Sequence, residues 1–357
     1  MSPIKVICVD DSVSMRNFLK VALEQDKKIQ VVDLAADPYE AREKIRRHNP
    51  DVITLDVRMP KMDGLTFLEK LMQLRPMPVV MVSSQTVKGA EDTFKALEKG
   101  ACDYLAKPFD PQVFDAFVDQ LIYKVKAASL VNLSALNKKQ DNKSIIQKRH
   151  AVSHLSKLKV QKQIKLIAIG ASTGGTEATK EIVMSSSLHG PPIVVTQHMP
   201  PVFSSSYAKR LDKLLPVPVQ EVTGTTKLEP GHIYIAPGDK HLLVKRNRLS
   251  LQAVLDDSLP VNRHKPSVDS LFFSVAESVG ANALGILLTG MGGDGAKGLL
   301  AIRQMGGMTI VQDKATSVVW GMPGAAVSMD AAIMTLGLDD IAKEVASLYQ
   351  PSLAINQ

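Results

Sequence analysis

Cysteine is scarce: Cys8 and Cys102 are the only two in 357 residues, both in the first third. Neither has metal-ligand spacing or a disulfide framework around it, which points to a reducing compartment. Aromatic residues make up 4% of the chain, with one tryptophan. Without aromatic interleaving or a recognition motif, nucleic-acid binding has only charge to rest on. No apolar run reaches the ~20 residues that a membrane-crossing helix needs. The N-terminus, MSPIKVICVDDS, lacks the apolar core of a secretory signal. These absences predict a cytoplasmic protein that neither spans a membrane nor binds nucleic acid, with a monomer as the default.

What is present suits folded domains. The chain is 45% hydrophobic and carries a net charge of +7, and its length predicts two domains. Lysine and arginine crowd between Lys124 and Lys165, where NKKQDNKSIIQKRH has no long apolar face. This stretch reads as a solvated basic linker over residues 125–163, entered by a helix that continues toward Leu136.

Before the linker, residues 1–124 alternate strand-like and helical runs. Strands are predicted at Ile4–Val9, Gln30–Ala35, Val52–Leu55, Val79–Val82 and Tyr104–Ala106. Helices are predicted at Ser14–Gln25, Pro38–His48, Gly64–Leu74, Ala90–Lys99 and Pro111–Val125. This alternation gives an α/β fold with a doubly wound parallel sheet, whose ligands sit at the carboxyl ends of its strands. Asp10 and Asp11 follow the first strand and Asp56 the third; Ser83 ends the fourth and Lys107 the fifth. Three carboxylates on one edge repel unless a cation joins them, and hard oxygen ligands with room for water suit Mg²⁺. Such a metal beside a carboxylate suits phosphoryl transfer, with Lys107 and Ser83 as contacts for the phosphate. Taken singly, each aspartate is more often a helix cap or turn residue.

The strings VDDS, TLDVRMPKMDG, MVSS and LAKPF make the first domain similar to the response-regulator receiver family. The resemblance implies that Asp56 accepts phosphate from a histidine kinase, that Asp10, Asp11 and Asp56 hold Mg²⁺, and that Ser83, Tyr104 and Lys107 couple phosphate to shape.

The second domain, 164–357, opens on an apolar run, Leu166–Ile169, which breaks into Gly170-Ala171-Ser172-Thr173-Gly174-Gly175 before a helix. A serine on such a turn presents its hydroxyl, and the helix N-terminus supplies N–H groups for an oxyanion. The same turn also fits a structural or phosphate-binding role, although the Walker lysine and the G-x-G-x-x-G spacing are missing. Further strands are predicted at Ile193–Thr196, Pro218–Val222, Ile233–Ala236, Ala283–Thr289 and Met308–Gln312, with a hairpin of His241–Val244 and Arg248–Ala253. Helices are predicted at Ser267–Val279, Ala296–Met305, from Met322, and at Asp339–Tyr349.

Ser172, His198 and Asp294 each follow a predicted parallel strand and so share one sheet edge. A serine needs an imidazole to take its proton, and the imidazole needs a carboxylate to fix its tautomer. Pattern alone leaves rivals. Asp294 also fits a helix cap, Asp313 also follows a strand, and His189, His232, His241 and His264 lie in loops, turns or a hairpin. The order serine, histidine, aspartate excludes an ordinary α/β-hydrolase.

IGASTGGTEA, QHMP, HIYIAPGDKHL, HKPSVDSLF, LLTGMGGDGAKGL and VVWGMPGAA make this domain similar to the chemotaxis methylesterase (CheB) family. The resemblance implies Ser172 as nucleophile, His198 as general base and Asp294 as its orienting partner. Backbone N–H groups of Thr173 and Met291 would then serve the oxyanion. Lys265 stands where relatives often carry arginine. Hydrolysis would need no cofactor. The substrates implied are glutamate methyl esters and glutamines on the cytoplasmic helices of chemoreceptors, in chemotaxis adaptation. A chemotaxis-type histidine kinase would drive the receiver, which covers the active-site edge until phosphorylated. The alternative is a response regulator with a binding-only output domain.

Overall fold

The computed structural model describes residues 2–83, 86–108, 114–136, 163–184, 186–248 and 250–348. It divides into two compact units, Met1–Ser144 and Ile145–Gln357.

In the first unit five strands, β1 (Ile4–Val9), β2 (Ile29–Ala35), β3 (Val52–Asp56), β4 (Val79–Ser83) and β5 (Asp103–Ala106), alternate with five helices. These are α1 (Val13–Leu23), α2 (Pro38–His48), α3 (Gly64–Leu74), α4 (Val87–Glu98) and α5 (Phe114–Ala128). The sheet order is β2-β1-β3-β4-β5, and each pairing is parallel. Strands β3, β4 and β5 are buried at every position, as a parallel sheet covered on both faces requires. Short polar side chains start the helices. Ser12 caps α1, Asp37 caps α2 ahead of Pro38, and Asp63 caps α3, each accepting from a backbone N–H of the first turn.

The second unit holds a seven-stranded sheet in the order β15-β14-β13-β6-β7-β10-β8 and a three-stranded sheet, β11-β12-β9. The strands of the larger sheet are β6 (Leu166–Ala171), β7 (Ile193–Gln197), β8 (Val219–Glu221), β10 (Ile233–Ile235), β13 (Ala283–Leu287), β14 (Met308–Gln312) and β15 (Met334–Leu336). All of its pairings are parallel. The smaller sheet is the antiparallel hairpin β11 (His241–Asn247) and β12 (Ser250–Asp256), edged by β9 (Thr226–Lys227). Helices α6 (Gly175–Val183), α7 (Pro201–Leu214), α8 (Val268–Val279), α9 (Ala296–Gln304), α10 (Met322–Ser328) and α11 (Leu338–Ser347) complete it. Val268, Leu271, Phe272 and Val275 of α8 join Leu299 and Ile302 of α9 and Leu166 and Ala168 of β6 in one buried cluster.

The first strand, β6, sits between β7 and β13 in mid-sheet. The chain therefore leaves β6 to one side and later returns on the other, which opens a crevice at the carboxyl end of β6. Both domains are doubly wound α/β units, as predicted. Differences are local. Helix α7 was not predicted, because three serines interrupt its apolar face, although its paired prolines at Pro200 and Pro201 suit a helix start. The short strands β9 and β15 were also missed. Helix α5 ends at Ala128 and does not continue toward Leu136 as expected; a separate helical turn over 133–136 follows, with Asn132 accepting from the Ala135 N–H at its start. Residues 111–113 of that predicted helix, and 137–162 of the predicted linker, lie outside the described residues.

Candidate active site

Ser172 is the first residue after β6, and His198 the first after β7. The β6–β7 register pairs Ala171 with Gln197; one step further sets Ser172 opposite His198. The His198 N–H donates to Ala171 O at 3.1 Å, and Gln197 Nε2 donates to Ser172 O at 2.9 Å. Both bonds tie the two strand ends together. After Ser172 the chain turns sharply: Gly175 N–H donates to Ser172 O at 2.7 Å, with Gly174 at φ +76° beside Val318. A side chain at Gly174 would be strained by that φ and would meet Val318 as well.

On the other side of β6, Ser172 N–H donates to Thr289 O at 3.0 Å. A Cβ on Gly290 would fall 2.7 Å from Ser172 Cβ and 2.3 Å from Met322 Sδ. Glycine at 290 therefore lets the loop after β13 lie against the serine. That loop carries Met291 and, three residues on, Asp294.

His198 Nε2 lies 2.8 Å from Asp294 Oδ2. Both side chains are nearly inaccessible, at 7% and 1% exposure. Asp294 also accepts from Asn262 Nδ2 at 2.7 Å, Ser267 Oγ at 2.8 Å, and the N–H groups of Val268 at 2.7 Å and Asp269 at 3.2 Å. Those N–H groups open α8, so the carboxylate sits at a helix N-terminus. Burial alone would raise its pKa. His198, Asn262 and Val268 outweigh burial and hold it well below the usual carboxylate range. An ionised Asp294 accepts the Nε2 proton. The lone pair then falls on Nδ1, which is buried with no hydrogen-bond partner among the described residues.

The structure sets Ser172, His198 and Asp294 beyond the carboxyl ends of three adjacent strands, β6, β7 and β13. The sequence reading did not find the supporting groups. Asn262 bridges Asp294 and Asp269, donating to Asp269 Oδ2 at 2.8 Å. Asp269 is buried, and burial together with the charge of Asp294 raises its pKa despite the Gly298 N–H. His264 stacks on His198, with ring centroids 3.7 Å apart and planes 10° from parallel. The signal available in sequence was Ser267-Val268-Asp269 as a capped helix start; nothing there pointed back to Asp294.

The first unit carries a second polar edge. One ligand atom from each of Asp10, Asp11 and Asp56 lies within 4.8 Å of the others. Lys107 Nζ lies 2.7 Å from Asp10 Oδ2 and 2.8 Å from Asp56 Oδ2. Burial raises the Asp56 pKa, Lys107 opposes that, and the neighbouring Asp10 adds to it. Burial works against the Lys107 charge, but the two carboxylates prevail and raise its pKa. Three convergent oxygen donors with a single lysine between two of them fit a hard divalent cation such as Mg²⁺. Ser83 is buried, its Oγ 3.3 Å from Gly89 O. Tyr104 is buried and packs edge-on against Phe94 at 6.3 Å.

Known proteins share both halves. Residues 167–345 match the family described as CheB methylesterase, and residues 6–119 match the response regulator receiver domain. A protein-glutamate methylesterase/protein-glutamine glutaminase of Xanthomonas oryzae pv. oryzae is 47% identical over 349 residues, covering 97% of this chain and 98% of that one. One of the same name from Hydrogenovibrio crunogenus is 46% identical over 375 residues, covering 98% of this chain and all of that one. Among solved structures, the Thermotoga maritima CheB methylesterase catalytic domain matches with a TM-score of 0.50 and 37% identity, covering 52% of this chain and 98% of that one.

Proposed function

The chain belongs to the CheB methylesterase family, with a receiver domain ahead of its esterase domain, and from that footing we propose that Ser172, His198 and Asp294 make it a phosphorylation-regulated protein-glutamate methylesterase with protein-glutamine deamidase activity. The observation that carries the assignment is the 2.8 Å contact of His198 Nε2 with Asp294 Oδ2, one strand from a serine on a tight turn. We read the domains as a receiver over 1–124, a basic linker over 125–163 and the esterase over 164–357.

In this reading His198 Nδ1 takes the Ser172 proton as Oγ attacks the γ-carbonyl of a methylated glutamate. Asp294 steadies the imidazolium that forms. The carbonyl electrons move onto oxygen, to which the backbone N–H groups of Thr173 and Met291 donate hydrogen bonds. The tetrahedral adduct collapses, the C–O bond to the methoxy group breaks, and His198 returns the proton so that methanol leaves. Water, deprotonated by the same nitrogen, then attacks the acyl-serine; the C–O bond to Ser172 breaks, His198 returns the proton to Oγ, and the glutamate carboxyl is freed and ionises. A glutamine follows the same path with ammonia leaving. No step draws on a cofactor. The esterase-family match disfavours a binding-only output domain.

The receiver supplies control. Asp10, Asp11 and Asp56 would hold Mg²⁺, which neutralises the charge of an incoming phosphoryl group. Asp56 accepts that group from a chemotaxis-type histidine kinase. Lys107 contacts its oxygens, and Ser83 and Tyr104 shift toward the new dianion. Phosphorylation then raises hydrolysis on the cytoplasmic helices of chemoreceptors. Among the described residues no helix is long and apolar enough to cross a membrane, and we place the protein in the cytoplasm.

The test is methanol release from methyl-labelled receptor. Wild-type protein should release it and Ser172→Ala should not. Equal release by both would end the serine-hydrolase reading.

A further inference from the structure

His264 lies on the loop between β12 and α8, and the chemistry above does not use it. That loop also sends Asn262 to Asp294. His264 and His198 lie face to face, with centroids 3.7 Å apart and planes 10° from parallel. The loop is held where it is: His264 and Val261 exchange backbone hydrogen bonds of 2.9 and 3.1 Å, and His241 Nε2 donates to Leu259 O at 3.1 Å.

Charged groups lie around this pair. Asp294 meets the edge of His198 at Nε2, and Asp269 lies behind it, across Asn262. Arg263 is exposed next to His264 in the chain, and Lys265 is paired with Asp257 at 2.6 Å. When His198 becomes an imidazolium during the reaction, its face lies against the His264 ring. A charge on His264 would then meet a like charge across the stack, which favours the uncharged ring there. A neutral aromatic face attracts such a cation.

We propose that His264 is a positioning residue that holds the His198 ring in plane and favours its charged form while the Ser172 proton is in transit. The proposal rests on His198 being the general base. Its test differs from that of the esterase reading, which stands or falls with Ser172→Ala.

The experiment compares wild-type full-length protein with His264→Phe and His264→Leu, measuring kcat, KM and the pH dependence of kcat/KM on methylated receptor. Phenylalanine keeps an aromatic face without nitrogens; leucine keeps bulk without the face. His264→Phe should retain kcat within about two-fold. His264→Leu should lose about three- to five-fold in kcat with KM unchanged, on the scale of an exposed cation–π contact. Its acid limb should also move to lower pH, because an imidazolium lacking its support gives up its proton sooner. Simple damage to the loop would lower kcat without that displacement. Overturning results are a leucine variant that matches wild type in both readouts, a kcat loss with an unmoved acid limb, or a phenylalanine variant as impaired as leucine, which would assign the role to the His264 nitrogens.

Discussion

Asp294 Oδ2 lies 2.8 Å from His198 Nε2 and not from Nδ1. The ring is therefore turned end for end relative to the usual serine-protease arrangement, in which the carboxylate meets Nδ1. The proposed roles are compatible with the reversal, since a proton held at Nε2 leaves the lone pair on Nδ1. Asp294→Asn places an amide where several donors converge. The expected result is a loss of about 10⁴-fold in methanol release, checked by kcat, with a thermal melt to confirm that the fold persists.

Asn262 separates two buried carboxylates. Asn262→Ala removes the donor shared by Asp294 and Asp269 and leaves both under-satisfied. A loss of about 1–2 kcal/mol in transition-state support is expected, or roughly ten-fold in kcat. KM should hardly change, because this amide faces the triad carboxylate.

Two glycines of the same loop should behave oppositely. Gly290→Ala drives a methyl group to 2.7 Å from Ser172 Cβ and 2.3 Å from Met322 Sδ. About 1–3 kcal/mol of stability should go, along with most hydrolysis as the serine is displaced. At Gly293 an added Cβ meets only Ala325 Cβ, at 3.5 Å. Gly293→Ala should melt and turn over near wild type. Similar losses in both would mean that Gly290 is not the point of close approach.

In the receiver, burial first, and the charge of Asp10 with it, raises the Asp56 pKa against the pull of Lys107. A carboxyl whose pKa rises on folding stabilises fully below its unfolded value, and that contribution is lost as pH climbs through the folded value. Ionised Asp56 is thus a burden at neutral pH. Asp56→Asn leaves Lys107 paired with Asp10 and should raise the melting temperature at pH 7, with a smaller gain near pH 4. Mg²⁺ should stabilise wild type more than Asp11→Asn, read as the change in melting temperature with added MgCl₂.

The strands were legible in sequence because buried parallel strands are short apolar runs bounded by polar or glycine residues. Val52–Asp56 and Met308–Gln312 are buried throughout. That legibility carried the site, because Ser172 and His198 sit one residue beyond such runs. Asp294 was found less directly, seven residues after β13 ends at Leu287. The groups that orient it were invisible. Asn262, Ser267 and Asp269 lie 25 to 32 residues from Asp294 in the chain, in a stretch whose polarity reads as an ordinary loop. His264 was passed over for the same reason: stacking between two imidazoles leaves no periodicity to read. Helix α7 escaped because its serines face inward as well as outward, with Ser204 buried and bonded to Pro201 O and Glu221.

Strand β13 takes its place beside β6 only after β7 through β12 have been synthesised. A ribosome-bound chain that has already made Ser172 and His198 has no carboxylate to steady the imidazole and no glycine loop against the serine. Under the proposed mechanism, ester cleavage is therefore withheld from chains that end before Asp294, and such products should be inert without any inhibitor.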